Sequence, residues 1–335
     1  NKTLILVGTK FDLIKTVHEI YVKALAEKGK PVPAEPFLMK ITAQGGVGSH
    51  AEHQFLLNYY ELDSIGWGTP FLLVPEACTV DQQTLEVLRD AKEEDLYLSE
   101  VSPLGVLFNN VRGTGMDLKK EAQNREGNYG FECNKKYLAL TPFFTEEGTC
   151  TASKEYQRKK IQELKEQNLS EAEYNKQLGK ITDKACLCNG LTASTLMAND
   201  LDVKMEGTAV SICPGPNLAY FSGIYSLTEM VDHIYGRTNI MHRTDRPNLF
   251  IKELSMYVDY LANKIEETLK PIEAKQRKYF ETFSTNLNKG IAYYKELFQN
   301  YKTQFEDSTS KNNLLADLED LKQRLQQVSA QLATA

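Results

Sequence analysis

Apolar positions along the chain change period three times. Near the start they form short unbroken runs closed by glycine: residues 2–9 (KTLILVGT), 37–43 and 64–74. Each run predicts a buried strand. Between the first two, Leu13, Val17, Ile20, Ala24 and Leu25 recur at helical spacing, with Asp12 as the candidate cap and Gly29, Pro31, Pro33 and Pro36 as the stop. Between the second and third, Ser49 and Glu52 form a capping-box pattern ahead of Phe55, Leu56, Tyr59 and Tyr60. Residues 37–74 therefore read as strand, glycine turn, helix and strand, the pattern of a parallel βαβ crossover. A helix is predicted across 80–101, with Leu85, Leu88 and Ala91 inward.

The period is less regular in the middle of the chain. Residues 102–116 are rich in turn formers and read as a loop in which Asn109, Asn110 and Arg112 are either ligand contacts or, more commonly for such residues, ordinary loop polar groups. Residues 119–128 are charged and predicted to be exposed. The insert 153–184 places Tyr156, Ile161 and Leu164, then Tyr174, Leu178 and Ile181, at helical spacing in a charged background, with Ser170 and Glu173 as a second capping pair. It reads as a solvated helical hairpin. Further helices are predicted at 191–200 and 226–235, with a short strand at 208–213 before a Pro/Gly turn.

Beyond Pro247 no glycine occurs before Gly290. Leu254, Tyr257, Val258, Leu261, Ile265 and Leu269 mark one apolar face. Pro271 is the expected break, and an aromatic-rich stripe including Tyr279, Phe280, Phe283, Tyr293, Tyr294, Phe298, Tyr301 and Phe305 continues as core. Leu314, Leu318, Leu321, Leu325 and Val328 close the chain in a heptad-like row. These are long helices that pack on each other or on a partner chain. The expected division is 1–100, 101–246 and 247–335.

Composition narrows the function classes. With 335 residues, 41% hydrophobic and 25% charged, the chain can bury a sizeable core. A formal charge of −6 gives no basic footprint for nucleic acid. No apolar stretch has the length of a membrane span and no signal peptide opens the chain, so the expectation is a cytoplasmic protein with no membrane partner. Its first residue is Asn1, which suggests processing or a piece cut from something longer. No Ser/His/Asp order, HExxH or Walker loop appears, so hydrolase and NTPase chemistry have no motif behind them.

Candidate chemistry sits at the glycines. A glycine at a strand end lets backbone N–H groups approach an anion closely, and a helix N-terminus beside it adds partial positive charge. Gly45, Gly46 and Val47 form one such place, and Gly66, Trp67, Gly68 and Thr69 a second. The other account of these glycines is tight turns and close packing. The order of an apolar strand, GGVG, a helix and GWGTPFL resembles the last two βα units of phosphate-binding TIM barrels. Most of all it resembles the FMN-dependent oxidoreductases of the nitronate monooxygenase and glutamate synthase type. The resemblance covers about forty residues. It implies an α/β fold: the C-terminal part of a (β/α)8 barrel, followed by a mixed cysteine-bearing region and long C-terminal helices. It also implies FMN, whose phosphate the two glycine loops would hold, and a small-molecule substrate. Only three strands of that kind are visible, so another chain or a missing N-terminal half would complete the barrel.

Five of the six cysteines, Cys133, Cys150, Cys186, Cys188 and Cys213, lie between Tyr129 and Gly215. Cys186-x-Cys188 brings two thiols close, and Cys213 precedes Pro214, a pairing common beside iron–sulfur ligands. Four of these five would make a tetrahedral zinc or iron–sulfur site; the alternative is that they are buried small hydrophobes. In a flavin enzyme such a cluster would relay electrons, as the resemblance to glutamate synthases implies, although the spacing differs from theirs. His18, His50, His53, His233 and His242 are scattered, with His50 and His53 one helical turn apart beside the first glycine loop. Three readings stand: an FMN-dependent oxidoreductase, a non-flavin barrel acting on a phosphorylated small molecule, and an assembly module with a cysteine metal site that forms homo-oligomers through its C-terminal helices.

Overall fold

The computed structural model describes residues 10–241, 243, 245–268, 272–301 and 308–334, without the side chains of 308–313 and 333–334. The strand expected at 2–9, together with His242, Leu269, Pro271 and Phe305, lies outside the described residues.

Helix α1 (Lys10–Glu27) leads to β1 (Thr42–Gln44), α2 (His50–Tyr59) and β2 (Ser64–Gly66). After α3 (Gln82–Asp90) come β3 (Leu96–Ser99), β4 (Phe108–Val111) and α4 (Gly115–Arg125). There follow α5 (Lys154–Lys165), α6 (Glu171–Thr182), α7 (Leu187–Ala198) and α8 (Leu227–Ile234). Three long helices, α9 (Leu249–Glu267), α10 (Ala274–Asn300) and α11 (Ser308–Thr334), end the chain. The fold is thus a mixed α/β one dominated by helix, and its strands form two two-stranded sheets. No closed barrel is formed by the described residues. The chain divides into two compact units, 1–66 with 245–335, and 67–244.

In the first unit, β1 and β2 pair in parallel across α2, which is the predicted crossover. The strands are shorter than the apolar runs. Phe37 and Leu38 are exposed ahead of β1. Beyond β2 the run turns into a short 3-10 helix at Thr69–Leu73, where Pro70 has no N–H to give a ladder. Helix α1 buries none of its residues, and Val17 and Ile20 of its helically spaced apolar row are exposed. Asp12 lies in its first turn rather than at its cap. Helices α9, α10 and α11 pack on each other, burying Leu254, Val258, Leu261 and Ile265 against Leu287, Ile291, Leu318, Leu321 and Leu325. Phe280, Tyr294 and Phe298 of the aromatic stripe are core, with Phe250 within 5.1 Å of Tyr294 and 5.8 Å of Phe55 between ring centroids, whereas Tyr279 and Tyr301 are exposed.

The second unit is built around Leu73, Val74, Leu88, Val111, Leu218, Phe221 and Met230. The predicted helix at 80–101 stops at Asp90, because Leu96–Ser99 forms β3 and pairs antiparallel with β4. The supposed loop 102–116 therefore contains a strand, and Asn110 is buried within it, donating to Tyr97 Oη at 2.9 Å. Residues 119–128 are not uniformly exposed: Lys120 is buried and pairs with Asp183 at 2.7 Å. Residues 208–213 do not form the predicted strand; they bond instead to single neighbours, Met116 N donating to Val210 O and Ser211 N to Gly190 O. The hairpin of α5 and α6 forms as predicted, Ser170 Oγ accepting from Glu173 N.

Asp81 ties α3 to α7. One carboxylate oxygen caps Thr84 N at 3.0 Å and the other accepts from Ser194 Oγ at 2.7 Å, while Asp81 N donates back to Ser194 Oγ at 2.9 Å. Ser194→Ala removes the hydroxyl from both bonds in a buried setting. A loss of about 1–3 kcal/mol follows from leaving buried polar groups unmade; a urea unfolding midpoint equal to wild type would contradict it.

Candidate functional site

The first glycine loop has a backbone its sequence demands. Parallel pairing sets Gln44 opposite Gly66, so the carboxyl ends of β1 and β2 lie side by side. Gly45 and Gly46 then turn the chain with φ of 103° and 74°, a region that costs a residue with Cβ about 1–2 kcal/mol. Ser49 caps α2 immediately afterwards, its Oγ accepting from Glu52 N at 3.3 Å.

Glu52 does not return that bond to Ser49 N, as a full capping box would. Its side chain is 4% exposed and pairs with Arg246 through two bonds, Nη1 to Oε1 at 2.8 Å and Nη2 to Oε2 at 3.0 Å. The same carboxylate accepts from Gly48 N at 3.0 Å and from Leu249 N at 2.7 Å, and Arg246 Nη2 also donates to Gly46 O at 2.9 Å. Two glycines are needed for this arrangement. A Cβ at Gly46 would collide with Leu249 Cδ1, and one at Gly48 would lie 2.7 Å from the Arg246 guanidinium.

A phosphate therefore fits only part of the loop. At Gly48 the protein's own carboxylate occupies the place of an anion, and Val47 is 4% exposed. Gly45 is exposed, and a Cβ there would meet nothing within 4 Å. His50 and His53 on the first turn of α2 are half-buried. Burial, and then the neighbouring His50, lower the pKa of His53.

Gly66 closes the first unit, and Trp67, Gly68 and Thr69 open the second. Within that second unit Trp67 meets the His233 ring edge-on at 5.7 Å, Gly68 precedes the 3-10 turn, and Thr69 Oγ1 accepts from Gly215 N at 2.9 Å.

A cleft of about 310 Å³ in the first unit is lined by Lys10, Phe11, Asp12, Tyr59, Tyr60 and Tyr293. Tyr60 and Tyr293 share a hydroxyl hydrogen bond of 3.1 Å. Burial, with Tyr293 next in importance, pushes Tyr59 up to about 12 and Tyr60 higher still, so these phenols stay protonated. The cleft was not visible in the sequence, because Lys10, Tyr60 and Tyr293 are brought together only by folding.

Four of the five predicted cysteines come together. Cys150 and Cys186 are buried in one apolar cluster with Val101, Met116, Phe131 and Leu187, and Cys133 and Cys188 pack against it. Cys213 is outside the cluster; it is exposed and accepts a hydrogen bond from the backbone of Asn109. Among the described residues no three His, Cys, Asp or Glu side chains converge on one metal as they stand. Burial raises Cys150 to about 12, and the nearby Cys133, Cys186 and Cys188 add to that rise.

Comparison of the chain with protein families, curated proteins and solved structures finds no match. Among the described residues no helix is long and apolar enough to cross a membrane.

Proposed function

We propose that the chain carries the phosphate-gripping end of an FMN-dependent oxidoreductase barrel, with the cofactor phosphate at Gly45 and Gly46 beside the carboxyl end of β2 at Gly66. The observation behind this reading is the parallel β1–β2 pair, with Gly66 at the end of β2 and, beside it, Gly45 and Gly46 at positive φ directly before a Ser49-capped helix. FMN would bring the hydride and electron chemistry, while the residues of this chain hold and orient its phosphate through backbone amides. The remaining strands of the barrel, and the groups that contact substrate, would come from another chain or from sequence outside these residues. The proposed setting is the cytoplasm.

A second reading is favoured by Arg246 and Leu249, which by themselves account for the glycines at 48 and 46. On that reading the loop is only a seat for the start of α9.

Titration of the purified chain with FMN, followed by quenching of flavin fluorescence, separates the two. The first reading expects binding that inorganic phosphate displaces and that Gly45→Val, which puts a branched side chain at a backbone φ of 103°, weakens at least tenfold. Phosphate binding without FMN binding would point instead to a phosphorylated small molecule as substrate. Indifference to both FMN and phosphate would leave the seat for α9 as the loop's role.

A further inference from the structure

The four clustered cysteines come from three segments that the backbone already holds together. Phe131 N donates to Ala152 O at 2.9 Å and Lys154 N to Phe131 O at 3.0 Å, tying the segment of Cys133 to that of Cys150. The close approach leaves no room for a side chain at Gly130, where a Cβ would lie 2.8 Å from Lys154 backbone. Gln157, wholly buried, donates through Nε2 to Thr151 O at 3.4 Å and to Lys184 O at 3.3 Å, tying the segment of Cys150 to that of Cys186. Ala185 N to Val101 O at 3.1 Å and Thr151 Oγ1 to Pro103 O at 3.3 Å anchor both of these segments to the stretch after β3.

A helix end and local backbone amides face three of the four cysteines. Cys186 is the N-cap of α7 and Cys188 lies in its first turn, so both sit at the positive end of a 12-residue helix. The Cys186 sulfur accepts hydrogen bonds from the backbone of Asn189 and Cys188, and the Cys150 sulfur from that of Ala152. Each sulfur thus takes a bond from the amide two residues on. Such bonds stabilise charge on sulfur and fix the direction in which it would ligate a metal. Lys135 is close enough to feel Cys188 and pairs with Glu206 at 2.7 Å.

We propose that Cys133, Cys150, Cys186 and Cys188 form a tetrathiolate site for one soft metal centre, and that this centre clamps the three segments together. Four thiolates and no open position suit a structural zinc ion or an iron–sulfur cluster, and exclude a hard ion such as magnesium. The thiols turn inward as the metal enters, and each ligand releases its proton to solvent. This site is independent of the phosphate reading, and its test does not involve FMN.

The test is the metal content of the full chain, as purified and after incubation with zinc or with ferrous iron and sulfide. One zinc per chain, or iron with a thiolate-to-iron absorption band, is the expected result. Cobalt substitution should give an intense thiolate-to-cobalt band. Cys133→Ser and Cys188→Ser change half-buried positions and should lose the metal while far-UV circular dichroism shows the helices intact. Cys213→Ser and Cys78→Ser should keep it. In the loaded protein only Cys78 and Cys213 of the six cysteines should react with a thiol reagent. A chain that takes up neither zinc nor iron, or one in which Cys213→Ser loses metal as Cys188→Ser does, overturns the proposal.

Discussion

Arg246→Met is expected to lower the unfolding free energy by about 3 kcal/mol, the scale found when one partner of a buried ion pair is removed. The guanidinium and the Glu52 carboxylate are 8% and 4% exposed, and their pairing joins the start of α2 to the segment entering α9 across 194 residues of sequence. Methionine keeps most of the volume but leaves a carboxylate with no cation. Gly48 N and Leu249 N still donate to it, which places the loss at the lower end of the range. Glu52→Gln in the same background removes the stranded charge, so the double variant should be less destabilised than the sum of the single changes. Urea unfolding with unchanged slope is the measurement. Additive losses, or an Arg246→Met protein as stable as wild type, would show that the pair is not coupled in this way. Gly48→Ala probes the same contact from the other side, because its Cβ would push the guanidinium away.

This pair also marks the limit of what could be read along the chain. Features governed by neighbouring residues were legible: Ser49 caps α2 and Ser170 caps α6 as local pattern dictates. The crossover between β1 and β2 followed from the two glycine-ended runs. Glu52, by contrast, reads as half of a capping box because the pattern is local, whereas its partner lies far along the chain and its buried cation outbids the helix end. The β3–β4 hairpin was missed for a related reason. Residues 108–111, Phe-Asn-Asn-Val, look like loop until Asn110 finds Tyr97 across the ladder and its amide is satisfied there. Cysteine grouping fell between these cases. Residue type singled out the right stretch of chain, but spacing alone does not show that Cys213 faces Asn109 while Cys133 reaches Cys150 and Cys186.

Leu325→Ala should cost about 3 kcal/mol, as expected for a fully enclosed leucine whose removal leaves a cavity that rigid helices cannot close. Leu325 is 0% exposed in α11, with Leu318 and Leu321 in the same buried row. The packing of α11 is fixed at several points along its length. Ser284 and Ser329 share a hydroxyl bond of 2.7 Å, Arg324 Nη1 donates to Ser255 Oγ at 3.2 Å, and Arg277 Nη1 donates to Leu332 O at 2.7 Å. These bonds limit how far the bundle can relax into the space. A heptad-like row by itself suits either an internal bundle or a second copy of the chain, and the two differ in mass action. With the leucines facing α9 and α10, the unfolding midpoints of wild type and Leu325→Ala should both be independent of protein concentration, and only the midpoint should differ between them. A wild-type midpoint that rises with concentration, together with a loss of that dependence in Leu325→Ala, would place the row at an interface between chains instead.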